Sequence, residues 1–305
     1  MSVAAKPENP QSKTALTSRS QGGLWQQAWG RLQKMPRSMF CFWVIVALGA
    51  VSLSSWLGIQ LCPYGFDQTS SEILVAPSTQ HLMGTDELGR DLLSRIIYGA
   101  RLSMAIGISI AGIAFVIGTT YGSIAGFYGG KIDNLLMRGV DIVYALPDLL
   151  VMILIGMLFP REYSTIAILV SLGFVSWMGT ARLVRAQLLQ LQSEEFIDAA
   201  RAAGRGTFDI IVKHMLPNAM GPIIVALTFT VPSAILSEST LSFIGLGLSP
   251  PACSWGTLAS DGWRSLRTHP HLILFPSLFI FMTVLSFNQL GDGLRDALDP
   301  RTRRR

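Results

Sequence analysis

Two acidic side chains inside apolar stretches are the residues of this sequence with the clearest capacity for chemistry. Asp148 directly follows Pro147, and Glu238 lies in a later apolar segment of the 305-residue chain. A carboxylate inside a membrane is costly unless it is paired or hydrated, so such groups commonly serve substrate or proton pathways. Both are therefore candidate pathway residues. The alternatives are that Asp148 satisfies backbone groups freed at the proline and that Glu238 joins a hydrogen-bonded cluster of nearby serines.

Other kinds of site lack the residue patterns they need. The cysteines, Cys41, Cys62 and Cys253, do not have the spacing of metal ligands. The acidic residues of segment 85–91 lack the spacing and the closing glutamate of an EF-hand. No phosphate-binding loop of the G-x-x-x-x-G-K-[ST] type occurs. We therefore predict that the chain is not an enzyme and holds no metal or cofactor of its own.

The composition is that of an integral membrane protein. Half of the residues (50%) are hydrophobic and 14% are charged, whereas soluble domains carry about 25% charged residues. The mean hydropathy is +0.44. Apolar segments near the roughly 20 residues that a spanning helix needs predict an all-α fold with six transmembrane helices, placed at 39–61, 103–128, 140–159, 164–186, 219–246 and 271–290.

The basic residues indicate the orientation. With both termini in the cytoplasm, 18 of the 24 Lys and Arg residues lie in cytoplasmic segments and six lie outside, as the positive-inside rule requires. This predicts a cytoplasmic tail 1–38, an outer loop 62–102, a permease core 103–290 containing a cytoplasmic loop 193–218, and a cytoplasmic tail 291–305. Within the first tail, residues 24–35 suit either an interfacial helix or a basic flank that sets topology. Cys62 and Cys253 then lie outside, and we expect two free thiols.

Segment Ser193–Asn218 is the longest polar interruption in the second half of the chain. Its first part has helical periodicity, with Ser193 as the expected cap and Gly204 as the expected end at positive φ. The predicted helical face consists of Phe196, Ala199, Ala200 and Ala203. A second helix is expected to start at Thr207, and Pro217 should end it. The segment should therefore form a knob of two short helices joined by a glycine elbow.

Three further patterns concern packing. Gly118, Gly122, Gly126 and Gly130 recur at every fourth position, which lets another helix approach closely. Pro232 predicts a kink in the fifth span. In the outer loop, apolar residues from Leu92 onward predict an amphipathic helix capped by Asp86 or Thr85.

The knob segment resembles the cytoplasmic coupling loop of ABC importer permeases, which has the pattern E-A-A, three residues, G, nine residues and I-x-L-P. The matching positions are Asp198, Ala199, Ala200, Gly204, Leu216 and Pro217. The chain departs from the pattern at Asp198, which replaces Glu, and at His214, which replaces Ile. The His-x-Leu-Pro-Asn ending is similar to the peptide-permease branch.

Five segments strengthen this resemblance. Gly84–Asp91, Pro250–Gly256 and Asn288–Arg301 look like signatures of dipeptide and oligopeptide permeases. Residues 183–204 and 231–262 look most like the C subunit of the oligopeptide permease. Together the matches cover residues 81–301, which is most of the chain.

The resemblance implies a type I importer permease that carries peptides into the cytoplasm across the bacterial plasma membrane. It also implies a second homologous permease subunit, an outer peptide-binding protein and two cytoplasmic ATPases that hold ATP and Mg. The residues implied to couple to the ATPases are Glu195, Asp198, Ala199, Ala200, Arg201, Gly204, His214, Leu216 and Pro217. The alternatives left open are a dipeptide, metal-chelate or peptide-like antibiotic permease, a proton-coupled secondary transporter using Asp148 and Glu238, and a purely structural subunit.

Overall fold

The computed structural model describes residues 24–59 and 61–299, and within them every named element is helical. The predictions for residues 1–22 and for Arg301 lie outside these ranges. The helices are α1 (Leu24–Leu32), α2 (Pro36–Trp56), α3 (Leu92–Tyr128), α4 (Gly130–Tyr144), α5 (Asp148–Gly156), α6 (Ser164–Leu191), α7 (Glu195–Ala202), α8 (Thr207–Asp209), α9 (Leu216–Phe243), α10 (Trp255–Arg264) and α11 (His271–Leu298), with a 3₁₀ turn at Arg161–Tyr163 and a π-helix at Ile210–Met215.

The six predicted spans correspond to five long apolar helices and one broken pair. α2, α3, α6, α9 and α11 are each long and apolar enough to cross a membrane, and α4 and α5 pass the test only together, with a bend of 81° between them. The third predicted span, 140–159, is therefore sharply bent, and its helical part begins earlier than predicted, at Gly130. Proline lacks an N–H and disfavours helical backbone in the residue before it, so the chain breaks just before Pro147 and Asp148 begins a new helix.

Two ion pairs hold the amphipathic α4 to α6. The Arg185 guanidinium donates two hydrogen bonds to the Asp133 carboxylate, from Nε to Oδ1 and from Nη2 to Oδ2, the second at 2.6 Å. Arg182 donates from Nη2 to Asp141 Oδ1 at 2.6 Å and stacks on the Tyr144 ring. A bidentate arginine–carboxylate pair fixes orientation as well as distance. These ion pairs therefore fix the position of α4 relative to α6, and with it the position of the bend that precedes Asp148.

The glycine stripe packs α3 against α6, as predicted. A Cβ added at Gly118 would lie 2.8 Å from the Trp177 carbonyl oxygen, and one at Gly126 would lie 2.9 Å from the Arg185 carbonyl oxygen. At Gly122 the added atom would be 2.8 Å from Val184 Cβ. Real Cβ atoms do not come this close, so glycine is what allows the two backbones to touch. Gly130 is different, because it has φ +54° and begins α4.

Helix α11 extends beyond residue 290, the predicted end of the last span, and continues to Leu298. A Cβ at Gly291 would lie 2.9 Å from the Phe229 ring, and one at Gly293 would collide with Ser38. The absence of side chains at these glycines therefore lets α9 and α2 pack closely against α11. The segment that was expected to be an interfacial helix or a basic flank is the helix α1, which buries Ala28 and Leu32 against Ala297 of α11 while Trp25 and Trp29 stay exposed.

The amphipathic helix predicted in the outer loop 62–102 is not a separate element, because it forms the first turns of α3, and the loop between α2 and α3 is residues 57–91. Its cap is Asp91, whose carboxylate accepts from Ser94 N at 2.8 Å and from His81 Nδ1 at 2.9 Å. The two predicted caps, Thr85 and Asp86, form other hydrogen bonds within the loop. Thr85 Oγ1 donates to the Glu72 carbonyl at 2.6 Å and accepts from Val75 N at 2.9 Å. Cys62 and Cys253 are free thiols.

Asp86 organises this loop through a dense set of donors. Its Oδ1 accepts from the backbone N–H groups of Leu88 and Arg90, both at 2.9 Å, and its Oδ2 accepts from the side chains of Arg90 and Arg95. Burial by itself would raise the pKa of Asp86, but the Arg90 N–H, the Arg95 charge and the Leu88 N–H outweigh it and lower the pKa. The ionised carboxylate thus stabilises the loop.

We expect Gly122→Ala to destabilise the folded chain by about 1–3 kcal/mol, the usual range for overpacking, because its methyl group would press on Val184 and the Ala181 carbonyl. The control is Gly112→Ala in the same helix, where an added Cβ meets nothing within 4 Å. Thermal unfolding in detergent measures both. Equal melting temperatures for the two variants would contradict the packing argument.

We expect the loop to lose stability in acid because of Asp86. A group with a lowered folded pKa stabilises the fold above its ordinary pKa, here 3.8, and this contribution is lost as pH falls through the folded value. Asp86→Asn should therefore expose the amides of residues 84–91 to hydrogen exchange at pH 6, and its difference from the wild type should shrink as the pH falls below 3.8. Asp67→Asn, exposed in the same loop, is the control, and a difference that is independent of pH would refute the assignment.

Candidate functional site: the helical knob and the groove behind it

The segment 193–218 forms a compact knob with its own apolar core. Ile197 and Ala200 of α7 pack with Ile210 and Met215 of the π-helix. This cluster continues into α6 and α9 through Val184, Leu188, Ala219 and Ile223. Gln192 fixes the knob to the end of α3, because its amide donates to the carbonyls of Gly126, at 2.8 Å, and Phe127. The knob is therefore packed onto three long helices.

The glycine elbow is a Schellman motif. The N–H of Gly204 donates to the Arg201 carbonyl at 2.9 Å, and the N–H of Arg205 donates to the Ala200 carbonyl at 3.2 Å. Gly204 has φ +74°, as the sequence predicted. Gly206 has an ordinary φ of −69°. Only Gly204 therefore needs the left-handed conformation that glycine adopts without strain.

The second half of the knob is not a separate short helix. Residues 207–243 form one continuous helical segment, so Pro217 does not end it, contrary to the prediction. The π-helix Ile210–Met215 precedes the proline, and a wider turn accommodates a residue that cannot donate to the helical ladder. Asn218 Nδ2 donates to the His214 carbonyl at 2.6 Å. Leu216 packs against the knob core, and the buried His214 Nε2 has no hydrogen-bond partner among the described residues.

The expected caps are also replaced. Glu194 precedes α7 without a side-chain cap, and Ser193 Oγ donates back to the Gln190 carbonyl at 3.0 Å. Gly206, rather than Thr207, precedes α8. Both helix starts therefore leave backbone N–H groups unsatisfied by a side-chain cap within the described chain, although Glu195 and Asp198 place negative charge in the first turn of α7.

The exposed face of the knob combines apolar and charged groups. Ala199, Ala203 and Phe196 are exposed, and Phe208 has 77% of its surface accessible. Ala200 is buried in the chain's own core, so the expectation that it faces a partner needs correction. α7 is short and its inner side is taken by Ile197, which brings Ala200 inward. The charged residues pair locally: Arg201 with Asp198, and Arg205 and Lys213 with Asp209.

Behind the knob, two cavities of about 300 Å³ each lie along α5, α6 and α9. The loop-end cavity touches α6 at residues 164, 167, 168 and 171 and includes Arg161 and Arg264. The deep cavity touches α6 at residues 172, 175, 176 and 179 and includes Asp148. Because these are consecutive turns of one helix face and Met152 lines both cavities, the two form one groove.

The structure separates the two candidate pathway acids. Asp148 is exposed and lines the deep cavity. Glu238 is 1% exposed, and its Oε1 accepts from Ser242 at 2.8 Å and from Ser254 at 2.6 Å. Ser254 begins α10, where Trp255 is anchored by Ser103 and the Ile96 carbonyl. Glu238 therefore belongs to an interhelical polar cluster, which was one of the two interpretations of the sequence.

Comparison with known proteins identifies this architecture. The family model described as "Binding-protein-dependent transport system inner membrane component" matches residues 118–304, which include the glycine stripe, the groove helices and the whole knob. The chain belongs to this family. It is 44% identical to the dipeptide transport system permease protein DppC of Bacillus subtilis over 92% of this chain and 86% of that protein.

Other relatives agree. The oligopeptide transport system permease protein OppC of Escherichia coli K12 is 40% identical over 97% of this chain and 96% of that protein. Among solved structures, a chain of the inward-facing MetNI methionine ABC transporter superposes with a TM-score of 0.53 and 19% identity. The match covers 67% of the present chain and 96% of the MetNI chain. The fold is thus that of a type I ABC importer permease.

Sequence reasoning missed two parts of the site. The sequence patterns do not predict helix α10, although Ser254 and Thr257 form a capping box at its start. The start of α4 at residue 130 was also missed, although its amphipathic pattern begins there. The hydroxyl residues of the groove carry no signal in the sequence, because their common direction depends on how α6 and α9 pack.

We expect Gly204→Ala to open the elbow, because an L-residue in the left-handed conformation costs roughly 1–2 kcal/mol. The amides of Gly204 and Arg205, which form the Schellman bonds, measure this directly by hydrogen exchange. Gly206→Ala is the matched control, since neither glycine has any atom within 4 Å of an added Cβ. Equal protection in both variants would show that positive φ is unimportant here.

Proposed function

We propose that this permease is one subunit of an ATP-driven importer that carries peptides into the cytoplasm. The main support is the knob, in which the segment with the coupling-loop pattern folds into two helical parts joined by a glycine elbow. Its apolar core continues into α6 and α9, which both line the groove. The named relatives are dipeptide and oligopeptide permease proteins, which supports a peptide substrate. Peptides of either length class fit this proposal.

The orientation that we propose has both termini and the knob in the cytoplasm of a bacterial cell, with the 57–91 loop outside. The support comes from the sequence: 18 of the 24 Lys and Arg residues fall in the segments that this orientation assigns to the cytoplasm. An outer peptide-binding protein would then deliver substrate at the loop end of the groove. A second, homologous permease subunit would cover the groove from the other side, since the groove is open along the single chain.

Coupling to ATP would pass through the exposed face of the knob. Two partner ATPases would bind ATP and Mg, and one of them would contact Ala199, Ala203 and Phe208. Glu195, Asp198 and Arg201 would lie at the rim of this contact, and Gly204 would hold the elbow. Ala200, Leu216 and Pro217, with His214, would transmit force because they belong to the packed half of the knob rather than to its surface.

A matched pair of variants at one exposed position tests this assignment. Ala199→Glu should weaken docking of the ATPases at least tenfold, about 1.4 kcal/mol, because a charged side chain would enter a close contact. Ala199→Ser keeps the residue small and should dock normally. Docking is measured by co-purification of the ATPases, and function by stimulated ATP hydrolysis and uptake of trialanine into proteoliposomes.

Ala200→Glu separates coupling from folding. It would bury a charge in the knob core and should lower the amount of folded chain in the membrane, which Ala199→Glu should not do. Normal docking, hydrolysis and uptake with Ala199→Glu would refute the docking face. An assembled wild-type complex that hydrolyses ATP but takes up no peptide of any tested length would refute the peptide substrate.

A further inference from the structure

The deep cavity of the groove has an unusual chemical bias toward acceptors. Asp148 carries the only charge among its lining residues, and five of the others bear hydroxyl groups: Tyr144, Ser176, Thr230, Ser233 and Ser237. The remaining lining residues are apolar or glycine. A small polar ligand entering this space would therefore meet one carboxylate and several oxygen atoms in otherwise apolar surroundings.

Two of the three α9 hydroxyl groups that line this cavity already donate their hydrogens to the helix backbone. Thr230 Oγ1 donates to the Ala226 carbonyl at 3.2 Å, and Ser233 Oγ donates to the Phe229 carbonyl at 3.0 Å. A hydroxyl that donates its single hydrogen to its own helix keeps only acceptor lone pairs for a ligand. Thr230 and Ser233 therefore present acceptors to the deep cavity, which, together with the Asp148 carboxylate, match a ligand that is rich in donors and positively charged.

Asp148 is available to such a ligand. Within the described chain, no Lys, Arg or His lies within ion-pair distance of its carboxylate. It occupies the first turn of α5. The 81° bend after α4 is what brings this helix start to the groove, since a continuous helix would carry Asp148 past it.

We propose that the deep cavity binds the ammonium group of a passing peptide, with Asp148 as its counter-charge and Thr230 and Ser233 as hydrogen-bond acceptors. An ammonium group has three donors and one positive charge, which fits this set. The inference rests on the proposed peptide substrate for the identity of the ligand, but the cation preference of the cavity can be measured without it.

The loop-end cavity supplies an internal contrast. It is lined by Arg161 and Arg264 with one acid, Asp261, and by Arg90 and Arg95, which are paired with Asp86, so arginines outnumber acids there. Along α6 the two cavities run from Ser164 to Gly179, a distance of about 22 Å at 1.5 Å per residue. One groove therefore has a basic end and an acidic deep part, and the two should attract opposite charges.

Charge-selective thiol labelling tests this in the assembled complex. In a background with Cys41, Cys62 and Cys253 replaced by serine, Gly179→Cys places a thiol in the deep cavity, where an added Cβ meets nothing within 4 Å. Gly156→Cys is the matched reporter in the loop-end cavity, with its nearest neighbour at 3.6 Å. The probes are 2-aminoethyl and 2-sulfonatoethyl methanethiosulfonate, and the ratio of their rates cancels any difference in thiol reactivity.

The expected ratios are opposite. Relative to a free thiol, Gly179→Cys should favour the ammonium reagent by about tenfold, and Asp148→Asn should abolish this preference, whereas Asp148→Glu should retain it. Gly156→Cys should favour the sulfonate reagent and should not respond to Asp148→Asn. A cation preference at Gly179→Cys that survives Asp148→Asn, or that is absent from the start, would overturn the proposal. Loss of complex assembly with Asp148→Asn, rescued by Asp148→Glu, would instead show a pair with the second subunit and would also overturn it.

Uptake separates this proposal from the proposed function. With trialanine, Asp148→Asn should lower the uptake rate at least tenfold while the outer binding protein, which the variant does not alter, still loads the peptide. If the wild-type complex takes up trialanine but the labelling ratio at Gly179→Cys is unaffected by Asp148→Asn, only the ammonium site fails. If the ratio behaves as expected but no peptide is transported, the cation site stands and the peptide substrate fails.

Discussion

The close contact between the backbones of α3 and α6 is the constraint on which the rest of the structure depends. In a membrane the hydrophobic effect does not drive helices together, so close packing and buried polar pairs must do so. The glycines at 118, 122 and 126 let α6 lie directly on α3. Because α6 lines the groove along its first half and leads into the knob at its other end, this contact sets the position of both.

The ion pairs between α4 and α6 extend this arrangement to Asp148. Arg182 and Arg185 lie on the half of α6 nearest the knob and hold Asp141 and Asp133 of α4. α4 ends just before the bend that leads to α5. A displacement of the knob would therefore reach the start of α5 through packed helices and charged pairs. This gives a physical route from a partner's push to the carboxylate in the groove, built from contacts within one chain.

Buried polar groups have a different task at the loop end. Glu238 is sealed between α9 and the start of α10, and a Cβ at Gly256 would come within 2.7 Å of its Oε2. Asp86 and Asp91 satisfy backbone N–H groups and hold the long loop against α3. These carboxylates supply the hydrogen-bond acceptors that a helix or sheet would otherwise provide, because the backbone N–H groups of this long loop have few backbone partners. They fix the mouth of the groove, while Asp148 lines its deep cavity.

The sequence by itself determined the membrane class, the number of apolar segments, the packing role of the glycine stripe and the positive φ of Gly204, because each follows from local composition or spacing. It also carried the family resemblance. Only the tertiary structure decided that Ala200 faces inward, that Pro217 sits inside a continuous helical segment, and that the third span breaks at Pro147. Only the tertiary structure showed that Asp148 is exposed and Glu238 is buried. Both look the same as single acids in apolar segments, and the difference lies in which neighbouring helices reach them, which is a property of packing over long distances in the chain.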